Sequence, residues 1–184
     1  MFYKFKFLIT GLAAFFFLGS AKPTFFADDT TLVINKIKIE ITGLSTVGKY
    51  NCSNTFFIND TIYLNSLKKN TFDTAIKMTN FDCGNRIMTK DLQGTVKVQK
   101  FPNSTVCITD IKQNGKNYKC NLNFFITNKI LKYKDFNLYA TDDKIQGTLN
   151  LKFSDLELEP PVKMAGLIKV KDDIVINFSL YKNQ

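Results

Sequence analysis

The chain has 184 residues, enough for one domain with its own core, and its formal net charge is +9. It contains no histidine, which excludes the usual Ser–His and Cys–His catalytic pairs, and no Cys-x-x-Cys pair, so a structural zinc site has no ligand set. Scattered single lysines and one arginine, Arg86, indicate a solvated sheet face rather than a nucleic-acid surface. We therefore expect no enzyme activity, no metal, no cofactor and no nucleic-acid partner.

The first 21 residues have the layout of a secretory signal peptide. Lys4 and Lys6 precede an apolar run over residues 7–18, and Gly19, Ser20 and Ala21 supply the small residues of a cleavage site. The run is shorter than the roughly 20 apolar residues of a membrane helix, although an uncleaved anchor is the alternative. We expect cleavage after Ala21, with residues 22–184 forming one domain in the periplasm or outside the cell.

Apolar and polar residues alternate along most of the remaining chain, which is typical of strands with one buried face. Short turn sequences separate these runs and imply antiparallel pairing. The pattern predicts an all-β fold of about eight strands, either a sandwich or a closed barrel. The apolar positions of five runs are, in chain order, Ile37, Ile39 and Ile41; Phe72, Ile76 and Met78; Tyr118, Cys120, Leu122, Phe124 and Ile126; Leu149, Leu151 and Phe153; and Ile174, Ile176, Phe178 and Leu180.

One stretch between these runs is ambiguous. Met88, Leu92 and Val96 are spaced four residues apart, as on one face of a helix, and Thr89 could cap its start. Gly94 and the β-branched residues after it disfavour a helix, so helix and strand both stay open.

Four sequence blocks resemble the YceI-like family of exported bacterial barrel proteins, in particular its shorter versions from Bacteroidetes. The blocks are "ITGLSTVGKYNC" (41–52), "FDCGNRIMTKDL" (81–92), "KFPNSTVCI" (100–108) and "FSDLELEPPVKMAGLIKVKDDIVINFSL" (153–180). They occur in the family's order and cover nearly all of the chain after the signal peptide. The chain departs from longer family members in lacking the histidine and tryptophan near their first strands.

The resemblance implies a single lipocalin-like antiparallel β-barrel with one short helix near residues 88–99. Pro160 and Pro161 would carry the chain across one end of the barrel, and a final hairpin turning at Asp172 and Asp173 would complete the wall. The family's best-known members hold an isoprenoid chain inside the barrel. The matching inward candidates for ligand binding are Phe72, Ile76, Met78, Leu122, Phe124, Leu149, Leu151, Phe153, Ile176 and Phe178.

The resemblance thus implies a protein that binds an isoprenoid-like or other long-chain lipid. Transient contact with a membrane is a further expectation for such a protein. The alternative is a solidly packed barrel without ligand, whose outer surface meets an envelope partner. A barrel of eight strands can be just filled by its own side chains or can hold one small ligand, so alternation cannot separate the two. The sequence does not decide the oligomeric state.

Two disulfides are arithmetically possible. The resemblance implies a bond between Cys52 and Cys83, which the shorter family versions also carry. A bond between Cys107 and Cys120 depends on strand register. A two-residue turn at Asn114 and Gly115 would make them diagonal neighbours on one face, whereas a three-residue loop would place them on opposite faces.

Overall fold

The structure, a computed structural model, describes residues 31–64 and 70–183, which are mostly in β-strands. The predicted signal peptide, residues 1–21, lies outside the described residues. None of the helices in the described part of the chain is both long and apolar enough to cross a membrane.

The described residues contain nine strands and one α-helix. They are β1 (Thr31–Ser45), β2 (Gly48–Tyr63), β3 (Thr71–Lys77), α1 (Arg86–Thr95), β4 (Asn103–Asn114), β5 (Asn117–Ile126), β6 (Lys129–Ala140), β7 (Lys144–Lys152), β8 (Val162–Lys163) and β9 (Ile168–Lys182).

The eight long strands form one antiparallel sheet in the order β2-β1-β9-β7-β6-β5-β4-β3, which curls into a nearly closed barrel. The two-residue strand β8 pairs only with the start of β9. Of the two architectures that alternation allows, the structure is therefore the barrel, as the family resemblance predicted.

The alternating apolar residues face the interior, as predicted. Every apolar position named for the five runs is buried, except Tyr118, which is half-buried. Burial of each aliphatic or aromatic side chain contributes roughly 1.5–3 kcal/mol, so these inward rows are the main stabilising feature of the fold.

The barrel closes at a seam between β2 and β3, the two ends of the strand order. The backbones of Ser53 and Asp82 exchange two hydrogen bonds of 2.8 and 2.9 Å, and the side chain of Asn54 donates to the carbonyl of Lys77 at 3.3 Å. A disulfide joins Cys52 to Cys83 beside them, which confirms the predicted bond.

Helix α1 covers residues 86–95, so it begins and ends earlier than the predicted range of 88–99. Asn85, not Thr89, is its N-cap, because the Asn85 side chain accepts a hydrogen bond from the N–H of Ile87 at 2.8 Å. The Thr89 hydroxyl instead accepts from the N–H of Cys83 at 3.1 Å. The helix stops at Thr95, and Lys97 has a φ of 52°, so the chain turns away where β-branched residues disfavour a helix.

The predicted hairpin at Asp172 and Asp173 is wrong, since β9 continues through both residues. Asp172 instead holds the segment that follows β7. Its carboxylate accepts hydrogen bonds from the Ser154 N–H at 2.9 Å and the Ser154 hydroxyl at 2.6 Å, and these bonds lower the pKa of Asp172. The last hairpin lies earlier, where β8 pairs with Ile168 and Lys169.

Cys107 and Cys120 are free thiols, so the second disulfide that the sequence left open does not form. The two turn residues are Gly115 and Lys116, because Asn114 pairs with Asn117. The pairing register of β4 and β5 then shifts between Thr109 and Lys112. Cys107 therefore lies opposite Asn123 on the outer face, whereas Cys120 is buried inside.

We expect the double substitution Cys52→Ala/Cys83→Ala to lower the free energy of unfolding by roughly 3 to 4 kcal/mol, because the bond closes a 31-residue separation in the unfolded chain. Urea unfolding followed by circular dichroism measures the difference. Cys107→Ala keeps this disulfide and is the matched control, so its free energy of unfolding should stay within about 0.5 kcal/mol of that of the unsubstituted protein. A double variant as stable as the unsubstituted protein would contradict the role assigned to the seam.

Candidate ligand-binding site

The centre of the barrel, here called the lumen, is nearly filled by side chains. The cavity that remains has a volume of about 50 Å³. This volume is far below the roughly 300 Å³ at which typical ligand pockets begin, so the space is too small for a hydrocarbon chain. Eight of the ten ligand-binding candidates line it: Phe72, Ile76, Met78, Leu122, Phe124, Leu149, Ile176 and Phe178. Leu151 is buried outside this lining, and Phe153 lines a different cavity.

The ring of Phe178 is part of the wall of the lumen. Phe178 lies opposite Gly147, and a Cβ atom at Gly147 would be only 2.3 Å from the Phe178 ring. The ring also stacks on Phe136, with ring centroids 6.1 Å apart and planes inclined by 21°. Gly147 thus provides the space in which the Phe178 ring lies against the backbone.

A second and much larger cavity, of about 470 Å³, lies at one end of the barrel. We call it the end cavity. Ligand pockets in proteins typically measure roughly 300 to 1,000 Å³, so its size is in the range of a binding site. It is lined by Ser45, Val47, Gly48, Lys49, Tyr50, Cys52, Ile87, Met88, Asp91, Leu92, Thr95, Phe153, Pro161, Lys163, Met164, Ile168 and Val170.

Three segments surround the end cavity: the β1–β2 turn, α1, and residues 161–170. Thr46 connects the first to the third, because its N–H donates to the Lys169 carbonyl at 3.0 Å and its hydroxyl to the Leu167 carbonyl at 2.9 Å. Lys163 and Asp91 form an ion pair of 2.7 Å between the third segment and α1. The cavity walls are therefore held by polar contacts, while the surface that they present is mostly apolar.

Tyr50 forms part of the wall of the end cavity and lies opposite Gly43 in the β1–β2 ladder. Its ring covers that glycine so closely that a Cβ atom there would be 2.2 Å from the hydroxyl oxygen. The hydroxyl is buried and has no hydrogen-bond partner within residues 31–64 and 70–183. Burial raises the pKa of Tyr50 to about 12, so the phenol is neutral at physiological pH.

Sequence patterns did not reveal this cavity. Nine of its apolar lining residues, Val47, Cys52, Ile87, Met88, Leu92, Pro161, Met164, Ile168 and Val170, were not predicted to bind a ligand. Val47 lies in a turn and Ile87, Met88 and Leu92 lie in α1, where strand alternation does not apply. Pro161 and Met164 lie before β9, outside its alternating run. The available signal was the four-residue spacing of Met88 and Leu92 and the apolar residues within "PPVKMAGLI" (160–168).

The remaining reactive groups do not form a site. In the described part of the chain, no group of three or more Cys, Asp or Glu residues is arranged to hold a metal ion. Burial, with the Asp73 carboxylate nearby, raises the pKa of Cys107 to about 11, and burial raises that of Cys120 to about 12. Both thiols are therefore protonated at neutral pH and are poor nucleophiles.

The fold can be compared with solved structures. No protein-family model matches the sequence, and no curated protein is detectably similar to it. A polyisoprenoid-binding domain from Saccharophagus degradans, implicated in plant cell wall breakdown, aligns with a TM-score of 0.56 at 11% identity, covering 83% of this chain and 97% of that domain. The two proteins share a fold.

A YceI protein from Campylobacter jejuni aligns with a TM-score of 0.48 at 11% identity, covering 99% of this chain and 94% of that one. The stronger alignment supports the barrel fold that the sequence resemblance implies. The structural alignment establishes a common barrel architecture. At 11% identity it does not establish a common ligand.

We expect Tyr50→Phe to raise the free energy of unfolding by about 1 kcal/mol, because it removes a buried hydroxyl that has no partner while keeping the ring over Gly43. Urea unfolding measures the change. Tyr139→Phe, on a side chain that is 61% exposed, is the matched control and should leave stability within about 0.5 kcal/mol. A loss of stability in Tyr50→Phe would show that the hydroxyl has a stabilising partner.

Proposed function

We propose that this protein is an exported carrier that binds a long apolar chain, isoprenoid-like or fatty, in the end cavity of its barrel. The observation that carries the proposal is the mostly apolar cavity of about 470 Å³ at one end of the barrel. The S. degradans protein of the same fold is described as polyisoprenoid-binding, which agrees with this class of ligand.

The lining favours a ligand with an apolar chain and a polar end. Each methylene group moved from water into such a cavity gains roughly 0.8 kcal/mol, so a hydrocarbon chain binds without specific polar contacts. Lys49, Asp91 and Lys163 are the charged residues of the lining, and the two lysines are exposed. A polar headgroup would lie beside them in contact with water.

The ten residues predicted from the sequence stay a prediction. Phe153 is the member of this set that lines the end cavity, and the lumen around eight others holds about 50 Å³. These eight would contact a ligand only if side chains such as Phe178 changed rotamer and opened the lumen to the chain.

Two further parts of the proposal concern chemistry and location. We infer a carrier rather than an enzyme, in keeping with the absence of histidine from the sequence and the protonated state of both free thiols. The Cys52–Cys83 disulfide supports an oxidising compartment, since such bonds are rare in the cytosol. The signal-peptide pattern in residues 1–21 agrees with export.

Three Val→Phe substitutions separate the candidate locations of the ligand. Val170 lines the end cavity, Val106 lines the lumen, and Val175 lies on the outer face of β9. We expect Val170→Phe to weaken binding of farnesol and of a fluorescent long-chain fatty acid by about tenfold or more, because the larger ring projects into the cavity and competes with the ligand for space. Val106→Phe and Val175→Phe should change the affinity by less than about twofold.

The outcomes distinguish the alternatives. Loss of binding in Val106→Phe with normal binding in Val170→Phe would place the ligand in the lumen. Native mass spectrometry of protein purified without detergent provides an independent measurement. A bare polypeptide mass, together with no uptake of either probe by the unsubstituted protein, would favour the solid-core interaction protein over a carrier.

A further inference from the structure

Exposed apolar side chains are concentrated around the end cavity. Within the described residues, ten large hydrophobic side chains are exposed, and six of them lie on the three segments that surround this cavity. The six are Leu44, Val47, Ile87, Val162, Met164 and Leu167, and we call them the rim. Val47, Ile87 and Met164 also line the cavity itself, so the rim is continuous with the proposed binding site.

The backbone holds part of the rim out from the barrel. Met164, Ala165 and Gly166 follow one another with φ values of 50°, 51° and 95°, and two of these residues are not glycine. Residues other than glycine rarely adopt this conformation, and it persists where the surroundings enforce it. Pairing of β8 with β9 fixes both sides of this loop, which leaves Met164 66% and Leu167 72% exposed.

Positive charge accompanies the rim. The segments 44–50, 86–95 and 161–170 contain five cationic side chains, Lys49, Arg86, Lys90, Lys163 and Lys169, against one carboxylate, Asp91. All five cations are on exposed residues, and Asp91 is already paired with Lys163. Apolar side chains surrounded by lysines are typical of a surface that binds membranes. The apolar side chains enter the headgroup boundary, and the lysines are attracted to anionic lipids.

We propose that the rim docks on an anionic lipid bilayer, so that the end cavity opens toward the lipids. The ligand then passes between the cavity and the bilayer without crossing water. This inference rests on the proposed function. A bilayer fits better than a protein groove because the exposed apolar residues are separate projections around an opening. A lipid surface does not require the shape complementarity that a protein partner would.

Vesicle sedimentation tests the docking. The purified protein should sediment with phosphatidylcholine vesicles that contain about 30% phosphatidylglycerol, bind pure phosphatidylcholine about tenfold more weakly, and lose most binding in about 0.5 M NaCl, which screens the lysines. The double substitution Leu44→Ser/Leu167→Ser removes two rim residues without changing charge and should weaken binding to the anionic vesicles by about tenfold.

Phe57→Ser is the matched control. Phe57 is 81% exposed on β2, nine residues beyond the β1–β2 turn and therefore about 30 Å from it along the strand. This variant should bind anionic vesicles within about twofold of the unsubstituted protein. Equal loss in Phe57→Ser, or unchanged binding in the double variant, would overturn the docking surface.

A second readout separates the two proposals. Leu44, Leu167 and Phe57 do not line the end cavity, so all variants should take up the fluorescent fatty acid from solution normally. Uptake without any vesicle binding would overturn the docking and leave the carrier function intact. Failure of the unsubstituted protein to take up the probe would overturn the carrier function itself.

Discussion

The structure depends on closing the barrel between β2 and β3, where the regular ladder of hydrogen bonds gives way to a few contacts. Most neighbouring wall strands are paired along much of their length, although β6 and β7 share only two residue pairs. At the seam, a single bridge between Ser53 and Asp82 and one side-chain bond from Asn54 join the edges. The Cys52–Cys83 disulfide lies beside them. An unpaired sheet edge exposes backbone groups that favour aggregation, and the covalent bond limits how far these edges can separate.

The same bond links closure of the barrel to the shape of the proposed binding site. Cys83 precedes α1 by three residues, and the Thr89 hydroxyl of α1 accepts the N–H of Cys83. Cys52, its partner, is part of the wall of the end cavity. One disulfide thus anchors a barrel edge, positions the helix over the opening and contributes to the cavity surface. The large cavity lies outside the densely packed lumen, so the proposed binding site does not require space inside the barrel.

Sequence alternation predicted the parts of the fold that are regular. Inward rows such as Ile37, Ile39 and Ile41 are recognisable because side chains in a strand alternate between faces. The exceptions follow from local chemistry that alternation does not report. Asp172 looked like a turn residue, but its carboxylate binds Ser154 while the strand continues. The register shift beyond Thr109 separated the two free cysteines, and a bulge has no reliable sequence signal.

The end cavity was harder to predict for a different reason. It is assembled from segments more than a hundred residues apart, and the contacts that join them, such as Thr46 with Leu167, involve backbone carbonyls that any residue supplies. The volume of a cavity is equally hard to predict from the alternation of apolar and polar residues. The ten inward candidates are buried as expected, yet the free volume among them depends on how a few aromatic rings lie.

Two glycine–aromatic pairs on neighbouring strands place one ring in the wall of each cavity, Phe178 in the lumen and Tyr50 in the end cavity. Gly43 lies under Tyr50 and Gly147 under Phe178, and each glycine lets a ring rest directly against the opposing backbone. Within a barrel of given strand number, the free space in each cavity therefore depends on how a single aromatic ring lies. Exchange of one ring for a smaller side chain would enlarge that space without altering the strands, so barrels with this framework could diverge in ligand size through single changes.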